Sequence, residues 1–94
     1  MSDTTPDGVA PRLTSKGPDG SYVAAPDVER GVLLDRLGRH EDVLESLQVE
    51  YNDTLAQIER LRAENRVHTA TYRQLVANRI TLKSVLGRYA DAGL

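Results

Sequence analysis

What most restricts this chain is a stripe of apolar residues spaced alternately three and four apart, running from Leu37 to Tyr89. With Leu37 at position a of a heptad, the a positions are Leu37, Leu44, Tyr51, Ile58, Asn65, Tyr72, Arg79 and Leu86. The d positions are His40, Leu47, Thr54, Leu61, His68, Leu75, Leu82 and Tyr89. Eleven of these sixteen residues are Leu, Ile or Tyr, and the spacing never slips. Such a repeat keeps one narrow face of a helix apolar, and that face needs another helix to cover it. No proline follows Pro26, so the covalent chain permits helix from there on.

The composition leaves few other ways to bury the stripe. Ninety-four residues with four Tyr, no Phe and no Trp supply little for a compact core. Stability is therefore expected from helix pairing or oligomerisation. The fold class this predicts is all-α. It is an antiparallel coiled coil, either a helical hairpin or a long-helix dimer, with an extended Pro/Gly-rich N-terminal arm. The helical region is placed at 27–94 and the arm at 1–26. Asp27 is the expected N-cap, and Gly38 offers an early stop for a short leading helix at about Leu37.

Charge selects the antiparallel sense. Residues 28–58 hold seven acids and three Arg, a balance of 3 − 7 = −4, and residues 59–94 hold seven bases and three acids, 7 − 3 = +4. Parallel, in-register pairing sets like halves side by side and Arg79 against Arg79; antiparallel pairing sets acid against base. The preferred register pairs Leu44 with Tyr89, Leu47 with Leu86, Tyr51 with Leu82, Ile58 with Leu75 and Leu61 with Tyr72. It also pairs the polar seam residues with one another, Thr54 with Arg79 and Asn65 with His68, because buried polar groups need partners. Leu55 then lies near Val76 and Gln57 near Asn78.

The same contacts form whether the chain bends near residue 66 or stays straight and pairs with a second copy. For the bend, Asn65 suits the left-handed position that ends a helix and Thr69 suits an N-cap, while Thr71–Gln74 also reads as a capping box. For the straight helix, there is no Gly or Pro between Glu64 and Tyr72. A turn at 65–69 is thus possible but not forced. Hairpins would associate further, because one pair of helices covers only part of each stripe.

The N-terminal region has a different composition. All four prolines lie there, and Pro-Asp-Gly occurs at 6–8 and again at 18–20, each a turn signal. The arm is expected to be flexible or to become ordered on a partner, with Tyr22 and Val23 as docking anchors.

Catalytic and metal-binding patterns are absent. There is no Cys, no Gly-rich phosphate loop and no nucleophile elbow. His40 and His68 are 28 residues apart, roughly 42 Å along a straight helix, too far to share a metal within one chain. No cofactor and no catalytic residue are expected. No apolar run approaches the ~18 residues of a membrane span, and there is no secretion signal. The last twenty residues, "LVANRITLKSVLGRYADAGL", resemble the Leu-rich, Arg-containing opening helix of the all-helical chorismate mutases. That likeness would make Arg79, Lys83 and Arg88 its cationic residues, but it covers about a fifth of the chain, and the chain is not assigned to that family. In size the chain is similar to the small secreted helical-hairpin proteins with a Trp-x-Gly turn, but it has no Trp.

The expected function is non-enzymatic: a coiled-coil interaction or assembly protein that self-associates and docks on a larger partner through its arm. The self-association residues are Leu44, Leu47, Tyr51, Ile58, Leu61, Asn65, His68, Tyr72, Leu75, Leu82, Leu86 and Tyr89. A structural component or adaptor, in a viral particle or a bacterial complex, fits this design, and the expected location is cytoplasmic or virion-associated. The alternative is a small nucleic-acid-associated regulator using the basic second half, where Arg60, Arg62, Arg66 and Arg73 would meet phosphates. No aromatic stacking platform accompanies those bases, and the acidic half would repel the same partner.

Overall fold

The computed structural model describes residues 8–94. It holds two short strands, β1 (Thr14–Lys16) and β2 (Tyr22–Ala24), and two helices, α1 (Arg30–Ala63) and α2 (Ala70–Asp91). The chain divides after Arg39 into two units, and α1 runs through the division.

The N-terminal unit departs from the all-α expectation. Its arm carries a two-stranded antiparallel ribbon, with Thr14 opposite Ala24, Ser15 opposite Val23 and Lys16 opposite Tyr22. The second Pro-Asp-Gly makes the reversal. The Gly20 N–H donates to the Gly17 carbonyl at 3.0 Å, and the Gly17 N–H donates to the Ser21 carbonyl at 2.7 Å. Gly20 sits at φ 84°, where a side chain would be strained. Pro18 pre-sets the second position of that turn, and the left-handed glycine closes a three-residue hairpin loop. Asp19 secures it, its Oδ1 accepting from the Ser21 N–H at 3.0 Å and from the Ser21 hydroxyl at 2.6 Å. Pro6 and Asp7 of the first Pro-Asp-Gly lie outside the described residues.

Asp27 is a turn residue and not the N-cap. The Val28 N–H donates to the Ala25 carbonyl at 3.2 Å, with Pro26 second and Asp27 third at φ 63°. That third position needs positive φ, which Asp tolerates better than most residues. The helix opens two residues later, where the Glu29 carbonyl accepts from Val32 and Leu33. Gly38 does not interrupt α1. One helical glycine costs only about 1 kcal/mol, and Arg39 bridges back over it to Asp35 at 2.8 Å. Within this unit Arg36 also donates to the Pro11 carbonyl at 2.9 Å, tying the arm to the first turns of α1.

In the C-terminal unit the straight-helix alternative is overturned. α1 stops at Ala63 and the chain reverses into α2, so the two helices pack against each other as a helical hairpin. A Schellman motif ends α1: the Arg66 N–H donates to the Leu61 carbonyl at 2.8 Å and the Asn65 N–H to the Arg62 carbonyl at 3.0 Å. Asn65 takes the left-handed conformation, φ 57°, that this motif requires. Thr69 caps α2 from extended backbone, its hydroxyl accepting from the Tyr72 N–H at 3.1 Å and donating to the Arg66 carbonyl at 3.0 Å. The capping box at Thr71–Gln74 is not used, because α2 already starts at Ala70. α2 ends as α1 does: Leu94 donates to the Tyr89 carbonyl and Gly93 to that of Ala90, with Gly93 at φ 84°.

Burial follows the heptad. Ile58, Leu61, Leu75 and Leu82 are buried, and Thr54 is the one buried polar residue among those described. Tyr72 and Val76 pack against the cluster of Ile58, Leu61 and Leu75. From Thr54 to Leu82 the stripe therefore closes on itself within one chain, while Leu37 and His40 at its start stay exposed.

Candidate association surface

The structure distributes the expected self-association residues unevenly. Ile58, Leu61, Leu75 and Leu82 are consumed by the intrachain seam. Leu44, Leu47, Tyr51, Tyr72, Leu86 and Tyr89 are half-buried along it. Asn65 and His68 are exposed in the turn, and no hydrogen bond joins them among the described residues. Their expected pairing fails because the heptad is interrupted where they stand. Asn65 acts through its backbone, and nothing covers His68.

The pairing of Thr54 with Arg79 fails for another reason. The Thr54 hydroxyl donates to the Glu50 carbonyl one turn earlier, at 2.8 Å, and so needs no partner across the seam. Arg79 is half-buried beside Tyr51, Leu55 and Lys83. Among the described residues one polar contact does cross between the helices: the Arg62 Nε donates to the Tyr72 hydroxyl at 3.0 Å beside the turn. That hydrogen bond, with the charge attraction to Tyr72 and Glu59, raises the Arg62 pKa above its already high ordinary value.

Among the described residues, grooves lie on either side of the seam, and two are set apart by their charge. The first, ≈ 750 Å³, is lined by Asp42, Glu45, Ser46, Val49, Glu50, Asp53, Thr54 and Gln57 of α1 with Leu75 and Asn78 of α2. Its ionisable groups are four carboxylates, with no base. The second, ≈ 500 Å³, is lined by Tyr51, Leu55, Arg79, Ile80, Lys83 and Ser84. Its ionisable side chains other than Tyr51 are two cations, with no acid. Heptad position explains why the grooves differ. Glu50, Gln57 and Asn78 occupy g, whereas Leu55 and Lys83 occupy e. In an antiparallel pair g faces g on one side of the seam and e faces e on the other. The two grooves are thus opposite flanks of the hairpin.

Acid does not meet base between the helices as the charge balance suggested. Among the described residues every ion pair is local in sequence: Arg39–Asp35, Arg60–Glu64, Arg62–Glu59 and Arg66–Glu64. None involves the carboxylates of the first groove or the cations of the second. Sequence reasoning missed these flanks because it weighed charge by halves of the chain and not by face; Glu50 at g, Lys83 at e and Arg79 at a each bore part of the signal.

The two residues expected to anchor the arm on a partner face different ways. Tyr22 and Val23 are 61% and 47% exposed. They are neighbours on β2, so they face opposite sides of the ribbon. Lys16 and Arg12 each hold a cationic group 5.7 Å from the Tyr22 ring centre. The Tyr22 face is therefore basic and aromatic, and the opposite face carries Val23 beside Ser15.

Among the described residues no group of three His, Asp or Glu converges to hold a metal ion, and no helix is long and apolar enough to cross a membrane. Arg79, Lys83 and Arg88, the cations of the chorismate mutase likeness, lie along α2, Lys83 and Arg88 exposed and Arg79 half-buried, and Arg79 and Lys83 share the second groove. No family model matches the sequence, and no curated protein or solved structure matches the chain.

Proposed function

We propose that this chain is a non-enzymatic assembly module. It self-associates through the outer surface of its helical hairpin and holds a larger partner with its N-terminal ribbon. The observation that carries this reading is the apolar surface left over once the seam has closed. Val43, Val49 and Ile80 remain 52%, 59% and 61% exposed beside the half-buried Leu44, Leu47, Tyr51, Leu55 and Leu86. Only four apolar residues of the described chain are buried, few for two helices totalling 34 + 22 = 56 residues. Helix pairs of this kind complete their core by adding further helices. A structural component of a particle, or an adaptor in a larger complex, is the role such a module would have. The Tyr22 face of the ribbon, with Arg12 and Lys16 beside the ring, would suit an acidic or carbonyl-rich partner surface.

Sedimentation velocity from micromolar to millimolar concentration tests the self-association. The expected result is a mass rising above the 10.4 kDa of one chain. A single 10.4 kDa species across the whole range would contradict the proposal.

A further inference from the structure

The seam that the heptad offered for self-association is already used within the chain. What lies beside the buried part of the seam remains available for association, and the two flanks differ in a way that names the occupant. On the g side, Asp42, Glu45, Glu50 and Asp53 line a groove without a base. On the e side, Arg79 and Lys83 flank the apolar Leu55 and Ile80 without an acid. Neither set is neutralised by an ion pair among the described residues. We propose that the acidic flank of one hairpin receives the basic, apolar flank of a second copy of this chain.

This rests on the self-association reading and specifies its geometry. Two basic flanks facing each other would appose Arg79 and Lys83 with their own copies, and two acidic flanks would appose the carboxylates. Like-charge contact of that kind is repelled, so a two-fold dimer through either flank is disfavoured. Pairing unlike flanks on opposite sides of the hairpin is heterologous, and each added copy leaves one acidic and one basic flank free. Such contacts close into a ring or continue as a filament, according to the rotation between neighbours. Ile80, 61% exposed in the single chain, would be covered at each contact.

Charge reversal by flank tests this with the full-length chain. Three proteins are compared by sedimentation velocity: the wild type, an acid-flank variant (Glu50→Lys with Asp53→Lys) and a base-flank variant (Arg79→Glu with Lys83→Glu). Each variant alone should associate at least tenfold more weakly than wild type, and an equimolar mixture should recover the associated mass. Wild-type association should also weaken between about 0.05 M and about 1 M salt, where the screening length falls to roughly 3 Å. If the wild type associates and either variant alone associates equally well, or the mixture recovers nothing, the flank contact is wrong and self-association stands. A wild type that stays monomeric overturns both. Far-UV circular dichroism checks that helix is retained. Glu50→Lys and Lys83→Glu alone, at exposed positions, serve in place of any double variant that loses it.

Discussion

At the scale of single residues, the reversal depends on backbone conformation more than on contacts. Asn65 sits at φ 57° with its N–H spent on the Arg62 carbonyl. Glycine enters that region without cost, whereas other L-residues pay roughly 1–2 kcal/mol. Asn65→Gly should leave stability unchanged or slightly raised, and Asn65→Leu should lower it by about 1 kcal/mol in urea unfolding. The heptad alone recommends Leu at this a position, so the pair of variants separates a turn from a seam. Thr69→Ala removes the hydroxyl that accepts from the Tyr72 N–H and donates to the Arg66 carbonyl, and should cost about 1 kcal/mol, with Thr69→Ser recovering most of it. Both residues were legible in the sequence, because the left-handed position and the N-cap each favour a short list of side chains. The Asn65–His68 and Thr54–Arg79 pairings were not. Counting register treats every a and d residue as lying on an unbroken helix, whereas Asn65 ends the helix through its left-handed backbone and Thr54 satisfies its hydroxyl on the Glu50 carbonyl.

At the scale of elements, the seam was readable because its period holds over many turns, and burial falls on those letters in both helices. A truncation series checks it. Ile58→Ala, at 2% exposure, should cost about 2–5 kcal/mol. Leu37→Ala shares the same letter but is 52% exposed and should cost less than about 0.5 kcal/mol. The ribbon was not readable as a ribbon. Its strands are three residues each, too short for a period of two to register, so the Pro-Asp-Gly signal was seen without the strands it joins. Its loop makes a prediction about pH. The Ser21 hydroxyl and N–H both donate to the Asp19 carboxylate and hold its pKa below the ordinary 3.8. A depressed acid stabilises the folded loop above its ordinary pKa, and that contribution is lost as pH falls through the lower folded value. The Ser21 amide proton should therefore titrate by NMR with a midpoint below 3.8, and the Asp19→Asn variant should show no such step. A midpoint at or above 3.8 would remove Asp19 from the loop's support.

At the scale of the whole molecule, charge was read correctly in total and wrongly in placement. The acidic first half and basic second half exist in the sequence, but the ion pairs among the described residues are sequence-local and exposed. Exposed pairs of this kind contribute only about 0–1 kcal/mol each. What sets the hairpin is the apolar seam and the capped turn, and the unpaired charge is left on the two flanks. The central claim is therefore the reversal itself, from which the closed seam and the opposed flanks both follow. Spin labels on cysteines replacing Ser46 and Arg88, both exposed, test it most directly. The hairpin places the two labels within about 30 Å, two helix diameters of ~10 Å plus the label arms. The signal should persist when labelled chain is diluted with unlabelled chain, because the contact is within one molecule. An unbroken helix would separate the same labels by roughly 63 Å, at 1.5 Å per residue. That longer distance, or a short one lost on dilution, would contradict the account.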